Sequence, residues 1–366
     1  MDKILHIIIA GGGTGGHLFP AIAIGETILK HAPESHIQYL GSKFGIEADV
    51  LPVKSLPHTL LPIRGLNRSI TFKSLAQNSI LPFRLFASIK RTHKLFDELT
   101  PNVVIGTGGY ASAIPVREAV KRNIPLVIQE QNLLPGLTTK MFSDKASRVC
   151  VAFPESVAYF KNEVIVTGNP VRIGIQNGDR KRAAQRFNLD EKKKTIFLFG
   201  GSQGSRALNK LMELSADKLA EDGFQILWQT GHWEHDRYKN YEKESVRVKS
   251  FIYDMADAYS ISDLIISRSG AITLSEITLC GKASILIPFP HAAADHQTIN
   301  AKALSEKNAA ILIPEQNLTA NKLIEEAITL LNDDDRLTRM AQNSKSLGKP
   351  DAAEVIVNHI LDVARS

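Results

Sequence analysis

Apolar runs of strand length alternate with helical stretches along the whole chain. In the first half these runs lie at Ile4 to Ala10, Ile37 to Leu40, Val103 to Gly106 and Leu126 to Gln129. The second half restarts the pattern at Thr195 to Phe199, Gln225 to Gln229, Val246 to Ser250, Leu264 to Ser267 and Ala283 to Ile287. Apolar strands separated by crossover helices predict an α/β protein with parallel sheets. Ile9-Ala10-Gly11-Gly12-Gly13-Thr14-Gly15 and Leu198-Phe199-Gly200-Gly201-Ser202-Gln203-Gly204 share one form: an apolar strand, a glycine turn and a helix. Each half therefore reads as its own Rossmann-type unit. The polar stretch from Asn177 to Lys194 separates them and places the domain switch near Val166 to Gly178. A helical pattern after Pro350 closes the chain.

Composition supports two domains. A chain of 366 residues with 43% hydrophobic content exceeds what one core usually holds. Ile4 to Gly25 carries no Asp, Glu, Lys or Arg and must be tested as a signal peptide or membrane span. Five glycines from Gly11 to Gly16, with Thr14 and His17, interrupt it, so a buried first strand running into a glycine loop fits better. Cys150 and Cys280 are the only cysteines and lack metal-ligand spacing, which reads as two buried thiols in a reducing compartment.

The net charge of +6 is localised. From Val50 to Phe96 there is no Asp or Glu, while Lys54, Arg64, Arg68, Lys73, Arg84, Lys90, Arg91 and Lys94 bring eight positive charges, leaving −2 for the remainder. Phe72, Leu75, Ile80, Leu81, Phe83, Leu85 and Phe86 are interleaved with them. Cations mixed with large apolar groups suit an anionic membrane surface; a nucleic-acid groove or a solvated helix face are the competing readings.

Three loops follow strands and open helices: Gly11 to His17, Gly106-Thr107-Gly108-Gly109-Tyr110, and Gly200 to Gly204. Glycine lets backbone approach an oxyanion, and the N–H groups and dipole of the following helix favour negative charge. Three such loops point to two phosphate-bearing ligands. Gly11-x-Gly13-x-x-Gly16 matches the dinucleotide fingerprint, but Gly41-Ser42-Lys43 stands where a nicotinamide enzyme needs an acidic residue. In the second half, Ser267 to Glu276 runs from a strand into a helix, so the Glu276 carboxylate can hold ribose hydroxyls, and Gln297 and Asn300 share a helix face nearby. Asp333-Asp334-Asp335, the one acidic cluster, follows a helix end as a solvated turn, and His232 and His235 read as surface residues, so no metal or other cofactor is expected.

In combination and order, these motifs resemble the MurG family of bacterial transferases over nearly the whole chain. The carriers are Gly11-Gly12-Gly13-Thr14-Gly15-Gly16-His17, Gly108-Gly109-Tyr110, Glu130-Gln131-Asn132, Gly168-Asn169-Pro170-Val171-Arg172, Gly200-Gly201-Ser202-Gln203-Gly204, Phe251-Ile252-Tyr253-Asp254-Met255, and Arg268-Ser269-Gly270-Ala271 through Glu276. The resemblance implies a GT-B architecture, two Rossmann-like domains with parallel sheets facing across a cleft. It implies residues 1–170 plus a helix over about 350–366 as the acceptor and membrane-associating domain, and 171–349 as the donor domain. It implies inverting transfer of N-acetylglucosamine from UDP-N-acetylglucosamine to the C4 hydroxyl of MurNAc in undecaprenyl-pyrophosphoryl-MurNAc-pentapeptide, at the cytoplasmic face of the bacterial inner membrane. Proteins of cell-wall synthesis are the implied partners, and nucleic acid is not. Thr14, Gly15, Gly16, Asn132, Arg172, Ser202, Ile252, Ala271, Ile272, Thr273, Leu274, Ser275, Glu276 and Gln297 are the implied sugar-nucleotide contacts, and Gly13, Gly108, Gly109 and Tyr110 those of the acceptor diphosphate. The chain departs from the family at His291 to Gln297, in length and in lacking a second adjacent glutamine.

Inverting transfer needs a base for the acceptor hydroxyl and a stabilised leaving group. His17 is the first candidate base, because the positive end of its helix disfavours imidazolium. Glu130, at another strand end, is the rival. The third glycine loop, Arg172 and Arg268 are candidates to meet the leaving-group charge. A UDP-sugar epimerase or another GT-B transferase would share the donor site, and a basic nucleic-acid-binding module is the reading outside enzymes.

Overall fold

The computed structural model describes residues 4–65, 79–201, 203–292 and 295–366. The chain divides into two compact units, Met1–Ile173 with Asp351–Ser366, and Gly174–Pro350. The first unit contains β1 (His6–Gly11), β2 (His36–Ser42), β3 (His58–Leu61), β4 (Val103–Gly108), β5 (Leu126–Glu130), β6 (Arg148–Val151) and β7 (Ile165–Val166). Its sheet runs β3-β2-β1-β4-β5-β6-β7, with every pair parallel. The second unit contains β8 (Thr195–Phe199), β9 (Gln225–Gln229), β10 (Val246–Lys249), β11 (Leu264–Ser267), β12 (Ala283–Leu286) and β13 (Ile311–Leu312). Its parallel sheet runs β10-β9-β8-β11-β12-β13.

Burial on both faces explains the unbroken apolar strands. Along β1, Ile7 and Ile9 face a core with Leu18, Ile22 and Ile28, whereas Ile8 and Ala10 face a second core with Phe96, Val116 and Ala119. Each fully buried isoleucine contributes about 1.5–3 kcal/mol relative to exposure. The last helix, Ala352–Arg365, inserts Ile356, Val357 and Ile360 into the core beside Ile7 and Ile9. The C-terminus thus completes the first unit.

Strand order reverses between β1 and β4 in one sheet and between β8 and β11 in the other. At such a switch point the flanking loops diverge and leave a crevice at the carboxyl ends of the strands. The first two glycine loops leave β1 and β4, and the third leaves β8. The topology therefore puts all three where an α/β sheet can bind ligands.

Four strands went unanticipated: β3, β6, β7 and β13. β7 and β13 are two residues long, and β3 has one buried residue of four. A short strand at or near a sheet edge buries too little to leave a period in the sequence. Among the described residues, no helix is long and apolar enough to cross a membrane, and no group of His, Cys, Asp or Glu could hold a metal ion. Asp333 caps the helix Asp334–Ser346, accepting from the Arg336 N–H at 2.8 Å.

Candidate active site

In the first unit, the glycine loop of β1 delivers His17 to the first turn of the helix Gly15–His31, for which Thr14 is the extended N-cap. Thr14 and Gly16 are exposed and Gly15 half-buried; the His17 N–H already donates to the Thr14 carbonyl at 3.2 Å. His17 Nδ1 lies 3.1 Å from the Thr107 carbonyl oxygen and 2.9 Å from Gln131 Oε1. Thr107 Oγ1 donates in turn to the His17 carbonyl at 2.9 Å. The loop after β4 makes room for the ring: a Cβ on Gly108 would lie 2.9 Å from His17 Nδ1, and one on Gly109 3.0 Å from Cδ2. Both glycines have positive φ, 91° and 77°, so their lack of a side chain serves conformation and packing together.

Gly13 is already engaged. Its N–H donates to Glu47 Oε1 and Oε2 at 3.0 and 2.9 Å, and Ser42 N donates to Oε1 at 2.7 Å. Glu47 is fully buried. The Gly13 N–H, on a loop expected beside the acceptor diphosphate, is thus engaged by the Glu47 side chain. Tyr110 packs on the same loop, where a Cβ on Gly13 would meet its ring at 2.6 Å. Burial pushes its phenol up.

Glu130 closes β5 and is also buried. It accepts from Asn132 N at 3.0 Å, Gly136 N at 2.9 Å and Thr139 Oγ1 at 2.6 Å. These three donors brace the loop that follows β5. Asn132 is half-buried beside Glu130, and the Arg172 guanidinium lies over the Phe19 ring, 4.7 Å from its centroid.

In the second unit the loop after β8 has Gly201 and Gly204 at φ 88° and 79°. Ser205 caps the 16-residue helix Arg206–Glu221; Ser202 lies outside the described residues. Gln229 Nε2 donates to the Gly201 carbonyl at 3.2 Å and its Oε1 accepts from Ile252 N at 2.8 Å. The Ile252 N–H is therefore used within the protein. Ala271 to Glu276 form the first turns of the helix Ala271–Cys280 behind Gly270. Ala271, Ile272 and Leu274 are buried, while Thr273 and Ser275 are half-exposed. Buried Glu276 accepts from Tyr259 Oη at 3.0 Å. Gln297 Oε1 accepts from Phe289 N at 3.0 Å, and its carbonyl accepts from Ser269 Oγ at 2.8 Å.

Arg268 joins several elements of the second unit. Its guanidinium donates to the Ile287 and Pro288 carbonyls and to Ser205 Oγ at 3.1, 3.0 and 2.9 Å, and pairs with Glu315. It ties the ends of β11 and β12 to the third loop. Gln131, Glu47 and Tyr259 are the residues that residue-by-residue reading missed as working parts. Only Gln131 carried a signal, its place within Glu130-Gln131-Asn132.

Residues 7–151 match the glycosyltransferase family 28 N-terminal domain and residues 195–356 the family 28 C-terminal domain. Two parallel Rossmann-like units with glycine loops at their switch points have the GT-B architecture, and the two family matches make the chain a glycosyltransferase. Relatives from Christiangramia forsetii and Flavobacterium psychrophilum are 39% and 41% identical, each over 98% of this chain and 98% of the relative. Both are named UDP-N-acetylglucosamine--N-acetylmuramyl-(pentapeptide) pyrophosphoryl-undecaprenol N-acetylglucosamine transferase. The crystal structure of Acinetobacter baumannii MurG superposes with a TM-score of 0.73 at 28% identity, covering 98% of this chain and 99% of that one. The chain belongs to the MurG family. A UDP-GlcNAc 2-epimerase from Neisseria meningitidis shares the fold alone, with a TM-score of 0.65 at 16% identity.

Proposed function

We propose that this protein transfers N-acetylglucosamine from UDP-N-acetylglucosamine to the C4 hydroxyl of MurNAc in undecaprenyl-pyrophosphoryl-MurNAc-pentapeptide, with inversion, as a step of peptidoglycan synthesis. The observation that carries this reading is the identity of about two residues in five, over nearly the full chain, with relatives named for that reaction.

His17 acts as the base. It takes the proton of the C4 hydroxyl, the oxygen attacks the anomeric carbon, and the bond from that carbon to the UDP oxygen breaks, so that UDP leaves with the negative charge. The first unit, with Gly108, Gly109 and Tyr110, serves the acceptor. The second serves the donor. There the loop Gly200–Gly204 and the N-terminus of the helix Arg206–Glu221 face the diphosphate, with Ser202 on that loop. Ile252 meets the base through its carbonyl, Glu276 takes the ribose and Gln297 the sugar.

The exposed face of the helix Leu81–Leu99 binds an anionic membrane. Phe83 and Phe86 are 77% and 71% exposed, and Lys90 and Lys94 follow them at helical spacing, on the side opposite buried Ser88, Thr92 and Phe96. On this reading the enzyme works at the cytoplasmic face of the inner membrane. Arg68, Lys73, Phe72 and Leu75 of the basic segment lie outside the described residues.

Labelled N-acetylglucosamine transferred from UDP to a synthetic lipid-pyrophosphoryl-MurNAc-peptide, and not to its 4-deoxy analogue, is the expected result. Binding of UDP-N-acetylglucosamine with epimerisation and no transfer would overturn the reading.

A further inference from the structure

We propose that Gln131 is a positioning residue that holds His17 as the tautomer protonated on Nδ1, leaving the Nε2 lone pair to take the acceptor proton. The inference rests on the reading of His17 as the base.

A neutral imidazole carries one proton, and the atoms facing each nitrogen decide where it sits. The Thr107 carbonyl, 3.1 Å from Nδ1, can only accept. The second neighbour of Nδ1 is the Gln131 amide, which could present either end.

Its own surroundings decide. Gln131 Nε2 donates to the Thr107 carbonyl at 2.8 Å and the Gln129 carbonyl at 3.1 Å, and also contacts Gln129 Oε1. Three acceptors around one atom require the NH2 group there, so the oxygen faces His17 at 2.9 Å. Gln129 is oriented in the same way, because its Nε2 donates to Asn169 Oδ1 at 3.0 Å while Asn169 Nδ2 donates to the Gln131 carbonyl at 3.1 Å. Gln129, Gln131 and Asn169 are all buried. A reversed Gln131 amide would set its oxygen against the Thr107 and Gln129 carbonyl oxygens, at a cost of about 1–3 kcal/mol per unsatisfied group.

The order Asn169, Gln129, Gln131, His17 therefore sets a direction for the Nδ1 proton. A neutral amide does this without placing a carboxylate beside the ring. The arrangement follows the logic of a base oriented by a second group that does not itself exchange the proton.

The test is a long-range proton–nitrogen correlation spectrum of the full-length enzyme labelled with nitrogen-15 histidine, at about pH 8, above the ordinary range of histidine. His17→Gln assigns the signals. The expected wild-type spectrum shows His17 protonated on Nδ1. In Gln131→Met an Nε2-protonated form appears and kcat falls about tenfold or more, while KM for UDP-N-acetylglucosamine stays within about twofold. A wild-type ring protonated on Nε2 would overturn the proposal whether or not the variant folds. A folded Gln131→Met with unchanged tautomer and kcat would overturn it as well. Full turnover by His17→Gln would refute only the base assignment, because the tautomer is read without reference to turnover.

Discussion

Tyr259 Oη donates to Glu276 Oε2 at 3.0 Å, with both side chains buried. The phenol orients the carboxylate before any ligand arrives, and it is anchored by edge-to-face contacts of its ring with Phe197 and Phe199 at 6.1 and 6.2 Å. Tyr259→Phe keeps those contacts and removes one hydrogen bond. The dissociation constant for UDP-N-acetylglucosamine should rise about three- to tenfold by calorimetric titration, and Glu276→Ala should raise it further. Unchanged affinity in both variants would remove Glu276 from the ribose.

Glu47 holds the first glycine loop from beneath. Glu47→Gln turns one acceptor oxygen into an NH2 that faces the Gly13 or Ser42 N–H, and should cost about 2 kcal/mol in urea unfolding. Gly12→Ala should cost more, since Gly12 sits at φ 154° and its Cβ would lie 2.3 Å from Glu47 Oε1. If Glu47→Gln unfolds at the wild-type urea concentration, the carboxylate does not support the loop.

For the membrane-facing helix, the double variant Phe83→Ser, Phe86→Ser should lose most binding to vesicles containing anionic lipid in a flotation assay. Turnover of a short water-soluble acceptor should remain. Lys90 and Arg91 should contribute about 1 kcal/mol each to the same binding, and that part should disappear in high salt. Vesicle binding equal to wild type would dismiss this face.

Asp257 gives the fold an acid-sensitive joint. Arg182 donates to its two oxygens, including Nε to Oδ2 at 2.9 Å, and Arg186 Nε lies 3.2 Å from Oδ2. The hydrogen bond from Arg182 holds the carboxyl below its ordinary value of 3.8. A folded pKa lowered in this way adds stability that is complete above the unfolded value and is lost as pH falls through the folded one. Asp257→Asn should therefore be less stable than wild type at neutral pH, and the difference should shrink below about pH 4. Melting curves from pH 7 to pH 3 with a constant difference would contradict this.

The glycine loops were legible because their chemistry is local: an apolar run, glycines and a helix start lie within a dozen residues. His17 could be singled out for the same reason. The contacts of Glu130 and Arg268 were not legible, because a strand-end charge looks alike in sequence whether it faces a ligand or braces its own loop. Glu130 turned inward to Gly136 and Thr139, and Arg268 to the carbonyls that end β12. Glu47 offered no signal, as a single carboxylate 34 residues from the Gly13 N–H it receives.

Local periodicity and turn chemistry alone determined two parallel α/β units, with phosphate-type loops at the ends of their strands, because each of those features is decided within a few residues. Which partner meets each polar group was decided by tertiary structure. Strand order sets β4 beside β1 and β5 beside β4, which brings Gln131 to His17 across 114 residues of chain. Burial then requires every donor there to find an acceptor, and that requirement has no counterpart in the order of residues along the chain.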